Sequence, residues 1–305
     1  MIIRQNAFEG TEKMLKGGLH CHTTRSDGRG TPEEVIRLHA AKGYNFLALT
    51  DHRIYNRHNF APETGLTILP GMEVDADLTD IAYGFRCFHT VCLGPNDETN
   101  GFAQDDTVET CSISCQQGYQ LYLDRIHQNN NLTFYCHPEW SGTPARWFDR
   151  LQGNFAMEIW NSGSVIENDM DANAACWDEL LGQGMRIFGV ATDDGHSMNH
   201  HGHGWVMVRS ANRVPDILQA RQQGAFYSSC GPVIRDFYVK DGVAHLFCEP
   251  CEQIQFLSDA HPTVVIRGNG LTRAELDLNG DYRYVRCCVV DADGRRAWTN
   301  PIFLI

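Results

Sequence analysis

Over the first 230 residues one rhythm repeats: a short apolar run, a polar cluster, then a stretch with helical spacing. Thr31-Pro32-Glu33-Glu34 opens a helix, with Thr31 as N-cap, Pro32 at the first helical position and Glu34 completing a capping box. Val35, Leu38 and Ala41 share one face, and Gly43 ends the helix. The unbroken run Phe46-Leu47-Ala48-Leu49-Thr50 reads as a strand buried on both faces. The same texture predicts strands over 132–136, 156–160, 186–191, 205–208 and 225–227, and helices over 118–128, 172–181 and 215–223. Strands alternating with helices imply a mostly parallel sheet.

After Gly231-Pro232 the pattern changes to short alternating strands over 237–239, 254–257, 264–266 and 284–290, with Asp293-Gly294 as a hairpin turn. Two segments follow: an α/β barrel over 1–230 and a small C-terminal β appendage over 231–305. A single α/β barrel fills roughly 250 residues, so 305 residues suit one barrel and an addition.

Charge narrows the partners. The formal net charge is −13, so non-specific binding to nucleic acid or an anionic membrane is not expected. A nucleotide substrate stays open, because a metal cluster reverses the field inside a cleft. There is no run of about 18 apolar residues and no apolar signal segment near Met1, and the 12 cysteines read as reduced, mostly buried thiols. These features point to a cytoplasmic protein.

The 14 histidines matter through their placement. His20-Cys21-His22 follows an apparent strand, so both imidazoles face one side, with Asp27 five residues on. Asp51-His52, His137-Pro138 and Asp193-Asp194-Gly195-His196 each follow a predicted strand, and Glu73 and His89 complete the set. Any one of them could cap a helix or satisfy a carbonyl. In an α/β barrel, however, the C-terminal strand ends converge on one face, where active sites form. Imidazole and carboxylate without thiolate suit Mn²⁺, Fe²⁺ or Zn²⁺. Nine such ligands exceed the need of one ion, and paired ions can activate a shared hydroxide.

The segments His20-Cys21-His22, Ser26-Asp27-Gly28, Thr50-Asp51-His52, Gly71-Met72-Glu73, His89, His137-Pro138 and Thr192-Asp193-Asp194-Gly195-His196 resemble the PHP family, named for polymerase and histidinol phosphatase. The resemblance covers about 20–230. It implies a distorted (β/α)7 barrel with two or three divalent metal ions. His20, His22, Glu73 and Asp194 would hold one ion; Glu73, His89 and His137 a second; Asp27, His52 and His196 a third. Glu73, Asp194 and His196 are then the catalytic candidates, with Asp193 one step behind. The run Tyr227-Ser228-Ser229-Cys230-Gly231-Pro232 and the ending Trp298-Thr299-Asn300-Pro301 resemble a shorter branch with carbaryl-hydrolase-like members.

Arg25 and Arg53 flank the ligand segments and are candidate contacts to a substrate anion, against an ordinary ion-pair role. Asn161, ending a strand, and His201 and His203, in the tract His200-His201-Gly202-His203, are further substrate-binding candidates. His58 reads as a surface residue. Glu158 has an inward-facing option but is not counted as a ligand.

The leading expectation is a phosphoesterase that uses a metal-bridged hydroxide on a small anionic substrate. The alternative is a carbamate, ester or amide hydrolase on the same centre, with Trp140, Trp147 and Trp160 as apolar walls. A metal-stabilised binding module without turnover is the third reading, since fold does not entail chemistry. A barrel amidohydrolase of another kind would need a bridging Lys at a strand end; Lys42 falls in a helix and Lys240 in the appendage.

Overall fold

The computed structural model describes residues 2–79, 86–172, 174–259, 263–280 and 282–304. The helix Pro32–Ala41 begins as its sequence dictates. Thr31 accepts from the Glu34 backbone, Glu34 returns the bond to the Thr31 backbone, and Val35 and Ile36 are buried. The helices Gln116–Gln128, Ala175–Gly182 and Val214–Gln222 fall within a few residues of their predicted positions.

The described strands form two sheets. The first, of twelve strands, runs Ile2–Arg4, Ile234–Lys240, Val243–Ser258, Tyr284–Val290, Arg296–Thr299, Phe226–Ser229, Trp205–Arg209, Met14–Gly18, Phe46–Ala48, Thr67–Leu69. Val264–Asp277 and Ile302–Phe303 attach beside this path. The second, of six strands, runs Phe188–Thr192, Asn154–Asn161, Leu132–Tyr135, Cys87–Leu93, Gly71–Leu78, Cys111–Ile113.

The expectation of mostly parallel pairing needs correction. Met14–Gly18, Phe46–Ala48 and Thr67–Leu69 pair in parallel, as do Leu132–Tyr135, Asn154–Asn161 and Phe188–Thr192. Cys87–Leu93, in contrast, runs antiparallel to both of its neighbours. Two isolated bridges, Cys21 to Gly195 and His52 to Glu73, link the sheets at the end where the parallel strands finish. Among the described residues no continuous ladder closes the two sheets into one barrel.

Phe46 and Leu69 of the first sheet pack with Val91, Phe134 and Val190 of the second in one buried cluster. Each fully buried side chain of this size contributes roughly 1.5–3 kcal/mol. This core fixes the strands, and therefore fixes the loops at their C-terminal ends.

Segment 231–305 does not form a separate sheet. Phe226–Ser229 pairs with Arg296–Thr299, and Ile2–Arg4 pairs with Ile234–Lys240. The expected strand 284–290 is present as Tyr284–Val290, and 237–239 lies within Ile234–Lys240. The expected 254–257 and 264–266 are pieces of long strands, Val243–Ser258 and Val264–Asp277, whose pairing shifts register around Cys251. There Cys248 and Cys251, three positions apart, bring their sulfurs to 3.7 Å. The reading of all 12 cysteines as reduced, mostly buried thiols passes over this close pair in Cys248-Glu249-Pro250-Cys251.

Candidate metal centre

Strands and the loops that follow them bring all nine expected ligand residues together at one end of the molecule, with Glu73 and His89 inside the strands Gly71–Leu78 and Cys87–Leu93. Glu73, only 1 % exposed, lies at their centre. Its carboxylate is 3.4 Å from His20 Nε2 and 3.4 Å from His22 Nε2. It also meets His52 Nδ1 at 3.0 Å, His89 Nδ1 at 3.1 Å and His137 Nε2 at 3.3 Å. Asp194 faces it, with Oδ1 at 3.2 Å from His20 Nε2 and 3.0 Å from His22 Nε2. Nearer the surface, Asp27 approaches His22 at 3.5 Å, His52 at 3.6 Å and His196 at 3.5 Å.

Local structure explains this convergence. The backbone N–H of Asp194 donates to the His20 carbonyl, and that of His22 to the Gly195 carbonyl. The Glu73 N–H donates to the Thr50 carbonyl, and that of Arg53 to the Glu73 carbonyl. His137 and Asp194 sit at positive φ, 24° and 45°. Such strain persists only where surrounding bonds over-determine it. Asp51, the neighbour of His52, is no part of the cluster. Its carboxylate instead accepts from Thr23, Ser26 and Asn56 and fixes the loop that carries Asp27.

Glu158 completes the scaffold. Its Oε1 accepts from His20 Nδ1 at 2.7 Å and Thr192 Oγ1 at 2.6 Å; its Oε2 accepts from the His137 N–H and from Asn161 Nδ2, both at 2.8 Å. With its proton on Nδ1, neutral His20 presents the Nε2 lone pair to the cluster. Asn161 Nδ2 also donates to Asp194 Oδ2 at 3.0 Å, while its Oδ1 accepts from the Ser164 N–H.

The donor set fits divalent cations. His20 Nε2 and His22 Nε2 stand 3.2 Å apart, and the buried His52 Nδ1 and Asp194 Oδ1, though close to Glu73 and His22, make no well-aligned hydrogen bond. Opposed lone pairs and carboxylates of this kind need a positive charge between them. Without metal, protons take that place. Burial pushes His22 toward its neutral form, but Asp194 and Glu73 outweigh burial and raise its pKa to about 9. Burial likewise opposes ionisation of Glu73 and Asp194, yet the imidazoles, His20 foremost, hold both well below the usual carboxylate range.

A cavity of about 280 Å³ opens above the cluster, lined by Asp27, His52, Glu73, His89, His137, Asp194 and His196, with Arg29, Trp140 and Glu167 on its walls. The expected substrate contacts do not line it. Arg25 is paired with Asp105, and Arg53 with Asp75. Asn161 is fully buried behind Asp194. His201 is 1 % exposed, with its ring 5.0 Å from that of His39. His203 is exposed and bonded to the Asn199 carbonyl. Arg29 and Trp140 occupy the positions those residues were expected to fill. Arg29 carries no motif of its own; its backbone N–H donates to the His196 carbonyl, and the bonds of Gly28 and Gly30 to Thr23 and Thr24 fix the loop that holds it at the rim.

A carboxylate–imidazole cluster beneath an open cavity supports the class of metal-dependent hydrolases. Residues 18–162 match the family model of the PHP domain, so that stretch is similar to a PHP domain. The match ends before Asp194 and His196. Over 66 residues the chain is 38 % identical to a 5'-3' exoribonuclease of Haemophilus influenzae, covering 20 % of this chain and 24 % of that protein. The chain thus spans about a quarter of the length of this curated relative. A two-domain protein from Bacteroides vulgatus, containing a predicted PHP-like metal-dependent phosphoesterase, aligns over 95 % of this chain and 96 % of its own, at 12 % identity and a TM-score of 0.46. An amidohydrolase from Chromobacterium violaceum with bound sulfate aligns over 59 % of this chain and 87 % of its own, at 17 % identity and a TM-score of 0.41. No described helix is long and apolar enough to cross a membrane.

Proposed function

We propose that the protein is a phosphoester hydrolase working with two or three divalent cations. The observation that carries this reading is the grouping of nine ligand residues around Glu73 and Asp194 at the floor of an open cavity. His20, His22, Glu73 and Asp194 would hold one ion, Glu73, His89 and His137 a second, and Asp27, His52 and His196 a third. Bound cations supply Lewis-acid activation of water and neutralise an anionic substrate. Glu158 orients His20, Asn161 steadies Asp194, and exposed Arg29 offers a cationic contact at the rim. The two bridges joining the sheets support reading them as walls of a distorted (β/α)7 barrel, with 231–305 as its appendage. The Haemophilus influenzae relative is named for action on RNA, whose links are phosphodiesters, which favours the same substrate class.

A second reading, hydrolysis of an aryl carbamate or ester, is favoured by Trp140. This residue is 46 % exposed and lies 5.0 Å from the His137 ring. It offers an apolar face to a flat leaving group.

A hydrolysis screen of phosphomonoesters, phosphodiesters, carbamates and aryl esters on metal-analysed protein separates the two. The phosphoester reading expects competitive inhibition by inorganic phosphate and a raised KM in Arg29→Ala. Cleavage of aryl carbamates alone, with indifference to phosphate, would replace it with the second.

A further inference from the structure

We propose that His39, Asp193 and His201 bind an additional divalent transition-metal ion, separate from the nine-residue cluster. His39 lies on the helix Pro32–Ala41, Asp193 directly precedes Asp194, and His201 belongs to the following loop. All three are at most 2 % exposed. Each offers one ligand atom, and the three atoms lie within 4.8 Å of one another.

The tautomer of His39 is the telling detail. Its Nδ1 donates to the Val35 carbonyl, one helical turn back, at 2.8 Å. In the neutral ring Nε2 therefore carries the lone pair, the arrangement typical of an imidazole that ligates metal. This Nε2 has no hydrogen-bond partner and stands 3.6 Å from Asp193 Oδ2. That separation is beyond a hydrogen bond. It is near the span between two ligands of a tetrahedral zinc, about 3.4 Å for bonds of about 2.0–2.2 Å. His201 Nδ1 is likewise buried without a partner.

The surroundings suit a fixed cation. Asp193 Oδ1 accepts the backbone N–H groups of His203 at 2.9 Å and Gly204 at 2.8 Å, and Oδ2 that of Gly202 at 2.6 Å. These bonds hold the carboxylate in one orientation, as outer partners of a ligand do. Two imidazoles and a carboxylate without thiolate suit zinc, manganese or iron. An ion here would tie the helix Pro32–Ala41 to the loop after Asp194, and so steady the backbone that presents Asp194.

The full-length protein crystallised with millimolar zinc, with anomalous data on both sides of the zinc edge, tests this directly. The expected map has a peak among His39, Asp193 and His201, resolved from any at Glu73 and Asp194. In solution, His39→Gln and His201→Ala should each bind one zinc fewer per chain than wild type by mass spectrometry. Absence of that peak overturns the proposal, whatever the nine-residue cluster holds. So does an unchanged zinc count in both variants when circular dichroism shows them folded. The two positions are scored separately, so this site and the reading of the nine-residue cluster can fail independently.

Discussion

Glu158→Gln changes one atom of a buried residue, yet its consequences can be worked through from the bonds it makes. The carboxylate receives four donors, two on each oxygen. An amide accepts on one end only. If its NH₂ faces the His137 N–H and Asn161 Nδ2, donor meets donor twice, and Asn161 cannot turn without losing Ser164 and Asp194. If its NH₂ faces His20 instead, Thr192 can rotate to accept, but His20 must move its proton to Nε2, the nitrogen aimed at Glu73 and Asp194. The first arrangement forfeits two hydrogen bonds to a charged group, at about 1.5–3 kcal/mol each. The second removes a ligand lone pair. Loss of a metal ligand's outer partner typically lowers affinity about 10–100-fold, equivalent to about 1.4–2.8 kcal/mol. In the second arrangement zinc affinity, by competition with a chromophoric chelator, falls in that range; in the first, urea unfolding in excess chelator shows a loss of about 3 kcal/mol, the smaller sum of the two bonds. Wild-type affinity together with wild-type urea stability in a folded Glu158→Gln protein would refute the role assigned to Glu158 in holding these four donors.

Asp194→Ala should abolish turnover, by more than the about 10–100-fold expected one shell further out, with the fold retained by circular dichroism; near-wild-type rates at full metal content would remove Asp194 from the ligand set. In the metal-free protein the raised pKa of His22 contributes stability that is complete below pH 6.5 and lost as pH rises through about 9. Urea midpoints in excess chelator should therefore fall across that interval, and midpoints that rise would show that the imidazolium does not form. Gly28→Ala would place a Cβ 2.5 Å from the His22 carbonyl carbon and 2.6 Å from the Thr23 nitrogen. Both are backbone atoms unable to move aside. A loss of about 1–3 kcal/mol in calorimetry is expected, and an unchanged melting temperature would show that the Asp27 loop relaxes freely.

The ligand segments were legible in the sequence because metal chemistry restricts residue type and strand ends restrict place. His20, His22, His52, His137 and Asp194 each follow an apolar run, and the fold brings them together without further information. Glu158 was harder to read. A carboxylate inside a strand can face either way, and only the pairing of Asn154–Asn161 between its two neighbours turns it toward His20. Arg25 and Arg53 misled because their partners, Asp105 and Asp75, lie 80 and 22 residues away. Local sequence cannot tell a free guanidinium from a paired one. The antiparallel course of Cys87–Leu93 was hidden for another reason: that strand is buried almost throughout and does not alternate in polarity, and the alternation of Gly71–Leu78, with Met72, Val74 and Ala76 between Glu73, Asp75 and Asp77, does not by itself reveal the direction of its partner.

The sheet that runs unbroken across position 230 determines how the molecule comes apart. Phe226–Ser229 zips to Arg296–Thr299, Ile2–Arg4 zips to Ile234–Lys240, and Asn300 reaches back to the Gly189 N–H and the Phe226 carbonyl. Cutting the chain after Gly231 would strip partners from both its first strand and the strand before the cut, leaving raw edges open to pairing with other chains. The change of texture there marks a change of architecture, not a seam. Denaturant should release the early and late parts of the chain together, so that Trp298 near the end and Trp177 within the earlier part report one shared transition.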